Sequence, residues 1–325
     1  MFLEEHQGGS EPMQHSSPYA DVMNAGRPEE RAALVALLRI RPGGMRWADI
    51  TADILEAGSA LEVWHRLVPA VLLDAPGEPS PLEAAAQELA EWDEKGWMLV
   101  TILDQSYPTR LRAIHQAPPL LFARGSQVQG EPAVSLVGSR KASERGLGIA
   151  AAVARELVSR GITVVSGLAA GIDTAAHRAT LAAGGRTVAV IGTGINKVYP
   201  AENRDLQEEI AARGLVLSQF LPDAPPQKHQ FPMRNATMSG YGLATVIVEA
   251  GEHSGARGQA RIAVAHGRPV ILTDAVVERN EWARALLGRP GVHTASSLAE
   301  VLSVVDGIIA EQEAVDAALH RLVST

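Results

Sequence analysis

Ala133-Val-Ser-Leu-Val-Gly-Ser-Arg140, Thr163-Val-Val-Ser-Gly-Leu-Ala-Ala-Gly-Ile-Asp173 and Thr187-Val-Ala-Val-Ile-Gly-Thr-Gly194 share one pattern: a short apolar run, then glycine and a small hydroxyl residue. Residues 215–218, 244–249 and 269–272 supply three more such runs. Continuously apolar segments rich in valine and isoleucine read as strands buried on both faces of a parallel sheet. Helical patterns over residues 144–159, 173–183, 204–213 and 257–266 fall between them. Right-handed crossovers then place helices on both sides of the sheet. The expectation is an α/β protein: an extended Rossmann-like, doubly wound, mostly parallel sheet over residues 131–305.

Outward from that core, residues 1–26 are polar and acidic and read as a disordered leader. Residues 27–75 space Leu34, Leu37, Leu38, Ile50, Ile54, Leu55, Leu61, Trp64 and Leu67 at helical intervals, which predicts a small helical domain. The Pro42-Gly43-Gly44 turn in it suits either a SAM-like or helix-hairpin-helix-like unit, whose turn amides contact phosphate, or a plain packing unit. A linker, Ala75-Pro-Gly-Glu-Pro-Ser-Pro81, opens a connecting segment over residues 76–130, with a helix over 82–95 and strands over 97–103 and 120–123. Residues 306–325 read as an amphipathic C-terminal helix.

The chain has no cysteine, which excludes disulfides, thiolate metal sites and thiol nucleophiles. No apolar run is long enough for a spanning helix, so the expected location is the cytoplasm, with no membrane partner. The histidines are scattered without ligand spacing, so no metal and no cofactor is expected. Net charge is −8, yet residues 131–302 carry 18 Lys and Arg against 15 Asp and Glu. An anionic ligand must therefore meet a local basic cluster rather than a broad positive face.

In an open α/β sheet, ligands bind beyond the carboxyl ends of the strands. The loops there carry Gly138 and Ser139; Ser166, Gly167, Gly171 and Asp173; Gly192 and Gly194; and Glu249, Ser254 and Gly255. Glycine allows close backbone approach, and each following helix offers free amides, so these loops are candidates for holding phosphate or nucleotide. Gly146-x-Gly148-x-x-Ala151 is no dinucleotide fingerprint, because it lies inside a helix and the second strand ends in Ser166-Gly167 rather than an acid. No Walker sequence is present. Lys228, Phe231, Arg234 and Asn235 fall within one short stretch, the mixture of cation, ring and amide that grips single-stranded nucleic acid; a solvated loop with one buried ring is the alternative. Asp173, Glu249, Glu252 and His253 are the acids and base that a nucleotide hydrolase would use. Asp173 also suits a helix N-cap, Glu249 a bond to loop amides and His177 a structural role.

Val137-Gly-Ser-Arg140, Ser166-Gly-Leu-Ala-Ala-Gly-Ile-Asp173, Gly192-Thr-Gly-Ile-Asn-Lys-Val-Tyr199-Pro200-Ala-Glu-Asn203 and Phe231-Pro-Met-Arg234-Asn235 together resemble the DprA/Smf family of DNA-processing proteins. Asp104-Gln-Ser-Tyr107-Pro108 and Pro118-Pro-Leu-Leu-Phe-Ala-Arg-Gly125 resemble the segment leading into that family's core. The resemblance implies a non-enzymatic homodimer that binds single-stranded DNA, protects and processes incoming strands, and loads a RecA-type recombinase during natural transformation or recombination. It implies a DNA pocket at Ser139, Arg140, Lys228, Phe231, Arg234 and Asn235. The chain departs from the family pattern at Ala170, Gln219, Ala236 and Gly258; two of these positions usually hold arginine, and Arg257 stands nearby as a compensating cation.

Overall fold

The structure, a computed structural model, describes residues 27–69 and 78–323. The expected leader, positions 75–77 of the Pro/Gly linker and the last two residues lie outside the described residues.

Three helices come first: α1 (Pro28–Ile40), α2 (Trp47–Ala57) and α3 (Ala60–Leu67). Leu34, Leu37, Ile50, Ile54 and Trp64 are buried, as their spacing predicts. The Pro-Gly-Gly turn uses amides internally: Gly44 N–H donates to the Arg41 carbonyl at 2.8 Å, and Met45 N–H to that of Pro42 at 3.1 Å. That favours the packing reading over phosphate contact.

Helix α4 (Pro81–Glu94) starts at a Ser80/Glu83 capping box. Then come β1 (Met98–Thr101), α5 (Thr109–Arg112) and β2 (Leu120–Gly125). The parallel part comprises β3 (Ala133–Val137), β4 (Thr163–Ser166), β5 (Thr187–Val190), β6 (Leu215–Ser218), β7 (Ala244–Ile247), β8 (Val270–Thr273) and β9 (Val292–Ala295). The nine strands lie in the order β1-β2-β6-β5-β4-β3-β7-β8-β9. Among the described residues, only β1–β2 and β2–β6 are antiparallel pairs. The segment expected merely to connect thus extends the central sheet.

The helices between the strands are α6 (Glu144–Ser159), α7 (Ile172–Ala182), α8 (Arg204–Arg213), α9 (Gln230–Tyr241) and α10 (Gly255–Ala265). Short helices α11 (Asp274–Arg279) and α12 (Glu281–Arg284) precede β9. Alternation along the strands divides the core. Val134, Leu136, Val246 and Ile271 face α6, α7 and the C-terminal helix, whereas Val137, Ile247, Val270 and Leu272 face α9 and α10. The N-terminal helices share a third core with Leu99, Phe122, Leu168 and Ile191, so they pack directly on the sheet assembly.

Three elements differ from expectation. Strand β9 has only Val292 and Ala295 as apolar residues and is an edge strand, so it lacks the continuous apolar signature. Helix α9 covers the stretch read as a cationic cluster. The C-terminal helix, α13 (Leu298–Val323), starts well before residue 306. Ser297 Oγ accepts the Glu300 N–H at its start, and Val301, Leu302 and Val305 are buried in the core. A boundary at 305/306 therefore cuts one continuous helix.

Candidate functional site

Strand order reverses between β3 and β7, and the crevice beyond their carboxyl ends is where such sheets hold ligands. The loops after these two strands are tied together. Ser139 N–H donates to the Glu249 carbonyl at 2.7 Å. The Glu249 carboxylate accepts from Ser143 N–H at 2.9 Å and from Ser143 Oγ. Ser143 Oγ in turn accepts the Gly146 N–H at 3.0 Å, capping α6. Glu249 therefore bonds loop groups, the structural alternative read from the sequence.

A cleft of about 590 Å³ opens here. Gly138, Ser139, Arg140 and Lys141 line one side, and Phe231, Arg234, Asn235 and Met238 of α9 another. Gly251, His253, Ser254 and Gly255 close it at the start of α10, where Ser254 Oγ accepts the Ala256 N–H at 3.2 Å. The amides of a helix N-terminus favour an anion at such a place. Arg140 is exposed, and its guanidinium carbon stands 5.0 Å from the centroid of the half-buried Phe231 ring. The exposed Tyr199 ring also lies 5.7 Å from Phe231, tilted by 45°. Gly192 supports this stack, since a Cβ there would come within 2.8 Å of the Phe231 ring.

Arg234 is no surface cation. It is 6% exposed, and its guanidinium donates to the Val190 carbonyl at 2.9 Å. Gly167 lies directly against it: a Cβ at 167 would fall 1.5 Å from the guanidinium. The buried Asp173 carboxylate accepts from Gly167 N–H at 3.1 Å and Ala169 N–H at 3.3 Å. It folds the loop before α7 and is not the helix N-cap, a position held by Gly171. Burial pushes the Asp173 carboxyl up, against the pull of Arg234 and the two amides. Burial likewise lowers Arg234, opposed by Asp173. Gly171 has φ +78°, and a Cβ there would stand 2.2 Å from the Ser139 carbonyl, so the loops after β3 and β4 touch through backbone.

Several expected residues serve the frame rather than the cleft. Ser166 Oγ donates to the Leu136 carbonyl at 2.6 Å. Gly194 N–H donates to the Ala224 carbonyl at 2.9 Å. Lys228 is exposed just before α9 and is not among the cleft-lining residues. Arg257 faces Glu252 at 3.7 Å, and Glu252 also accepts the Glu281 N–H at 2.9 Å. Gln219 accepts a hydrogen bond from the Thr237 hydroxyl, and Ala236 is buried, so neither position places charge in the cleft. The sequence reading passed over Met238 and Gln259. Both were legible as helical repeats of Phe231 and Gly255 once α9 and α10 face one crevice.

His177 is fully buried, and its Nδ1 meets Thr187 Oγ1 at 2.7 Å. Thr187 Oγ1 donates to the Val164 carbonyl, so the histidine donates through Nδ1. Burial, helped by Arg234, pulls its pKa down to about 3. The unfolded chain therefore takes up this proton first. Stability is complete above about pH 6.5 and falls as pH drops toward 3. At pH 5 the loss from this group is about 2 kcal/mol. Urea midpoints at pH 7 and pH 5 should show it, with a smaller drop in His177→Asn; equal drops would remove His177 as the cause.

The family model for DNA recombination-mediator protein A matches residues 98–306. A Protein Smf from Synechocystis is 40% identical over 190 residues, 57% of this chain and 48% of the relative. DprA of Streptococcus pneumoniae is 42% identical over 172 residues, 53% of this chain and 61% of the relative. The matched stretches thus span about half to three fifths of these curated relatives. The X-ray structure of Streptococcus pneumoniae DprA superposes with a TM-score of 0.66 at 31% identity, over 85% of this chain and 97% of that one. A Helicobacter pylori DprA structure, described for its single-stranded DNA binding mode, shares the fold with a TM-score of 0.57 at 22% identity, over 66% of this chain and 96% of that one. With a family model covering well over half of its length, and with the sheet and switch-point loops in place, this chain belongs to the DNA recombination-mediator protein A family, the DprA/Smf proteins.

Proposed function

We propose that this protein binds single-stranded DNA across the β3/β7 crevice and delivers it to a RecA-type recombinase, acting in the cytoplasm as a homodimer. The carrying observation is the exposed Arg140 guanidinium over the Phe231 ring at the mouth of the cleft. Cations that neutralise phosphate beside rings that accept a base make a sequence-tolerant grip on an unpaired strand. The names of the relatives point the same way: DNA processing for the curated proteins, recombination mediation for the family, single-stranded DNA for the Helicobacter pylori structure. The hydrolase alternative loses its candidate acids, because Asp173, Glu249 and Glu252 each already accept backbone N–H bonds.

Fluorescence anisotropy with an oligonucleotide of about 20–40 bases, titrated with salt, tests the reading. Affinity should fall steeply as salt rises. Arg140→Ala should weaken binding about 10-fold and make the salt dependence shallower by about 0.7 in slope, one phosphate contact on a single strand. Arg140 is exposed and has no ion pair among the described residues, so its variant should melt like the parent. Unchanged affinity and slope in that variant would reject the assignment.

A further inference from the structure

Arg257 lies on the first turn of α10, the helix whose start closes the cleft. A cation is out of place there. The free amides of a helix N-terminus carry a partial positive charge, which favours acids and opposes arginine. The first turn of α10 holds no acid. What balances Arg257 comes from the preceding loop. Its guanidinium donates to the Glu252 carbonyl at 3.5 Å and stands 3.7 Å from the Glu252 carboxylate. That separation is long for an ion pair, and both side chains are more than one third exposed, so the attraction is weak. The carboxylate is also held from behind, since it accepts the Glu281 N–H at the start of α12 at 2.9 Å. The pair stands at the rim: Gly251 and His253 on either side of Glu252 line the cleft, and so do Gly255 and Ala256 just before Arg257. In the free protein Arg257 belongs to the frame, and the compensating cation expected from the sequence is present but already engaged.

We propose that Arg257 is a phosphate-binding residue on the α10 side of the rim, and that Glu252 is its internal stand-in for phosphate, exchanged for the strand when the strand binds. This rests on the single-stranded DNA reading above and adds an exchange of partners to it. A phosphate offers the guanidinium shorter, charge-assisted bonds than the distant carboxylate does, and it offsets the positive end of α10 as well. Glu252, tied to the Glu281 N–H, stays behind when the guanidinium leaves it, as a negative charge beside the strand. The pair therefore reduces what Arg257 contributes, and it acts as a brake on the affinity of the rim. Arg140 on the opposite side has no ion pair to break among the described residues, so the two cations differ in kind.

The test is a double-mutant cycle on binding of an oligothymidine of about 20 bases, read by anisotropy at about 0.15 M salt, where charges more than about 8 Å apart are largely screened. Glu252→Gln keeps an oxygen for the Glu281 N–H and removes the charge. It should tighten binding about 3-fold, the size of one exposed ion pair released. Arg257→Ala should weaken binding about 3-fold, less than Arg140→Ala, and make the salt dependence shallower by about 0.7 in slope. In the Arg257→Ala background the gain from Glu252→Gln should disappear. Arg257→Gln repeats the cycle with a longer neutral side chain should alanine disturb the turn, and all variants should melt close to the parent. Equal tightening by Glu252→Gln with and without Arg257 would overturn the exchange, leaving Glu252 a plain repulsive charge. Unchanged affinity and slope in both Arg257 variants would overturn the phosphate role. Failure of the parent to bind the strand would instead remove the single-stranded DNA reading on which this rests.

Discussion

Arg234→Ala should cost about 3–5 kcal/mol of stability, a change large enough to unfold a marginal domain at ordinary temperatures. The guanidinium sits inside the protein, bonded to the Val190 carbonyl and pressed against Gly167, and the Asp173 carboxylate is the opposing charge that acts on it. Its removal leaves a cavity, an unpaired carbonyl and a buried carboxylate without its counter-charge, and each of these is unfavourable. Resemblance and composition alone assign this arginine to DNA contact; its buried position gives it a structural role as well. Urea denaturation followed by circular dichroism decides it. A midpoint close to the parent's would mean that the arginine is not structural. Any loss of DNA binding by this variant must be read against its folded fraction.

Phe122→Ala should be comparably severe, at about 3–5 kcal/mol. Phe122 is fully buried in β2, opposite Leu99 of β1 and beside Ser218 of β6. Its ring meets Trp92 of α4 edge to face at 4.9 Å. It thereby joins the N-terminal helical layer to the sheet. Thermal melting of the variant should shift downward as a single transition if helices and sheet form one cooperative unit. A helical part that melts separately, with the sheet unaffected, would show instead that the shared core contributes little.

Much of this architecture is legible in residues 133–273. Six valine- and isoleucine-rich runs can be located without ambiguity because strands buried on both faces tolerate almost nothing else. The loops that follow are legible because glycine has few other reasons to recur at one sheet edge. Helix α9 is hidden by Lys228, Pro232 and Arg234, which read as a polar loop until Arg234 is seen to be internal. Its apolar repeat through Phe231, Met238 and Tyr241 is present but sparse. Strand β9 is hidden because an edge strand needs no continuous apolar run. The start of α13 is obscured by Asp306-Gly307, which imitates a helix boundary in the middle of a helix. At the site, residue identity points to the right loops but not to which side chains are structural. Asp173 and Glu249 have the chemistry of catalytic acids, and only their bonds to loop groups show otherwise.

The antiparallel pair β1–β2 bears on how the border of the sheet avoids stray pairing. Without it, β6 would present a free row of amides and carbonyls beside a buried apolar surface, an invitation to strand exchange. The pair acts as a hem. It satisfies β6 and moves the outer border to β1, only four residues long and preceded by Lys95 and Gly96. A border that short gives a stray strand little to grip, so the extension guards against aggregation as well as completing the sheet.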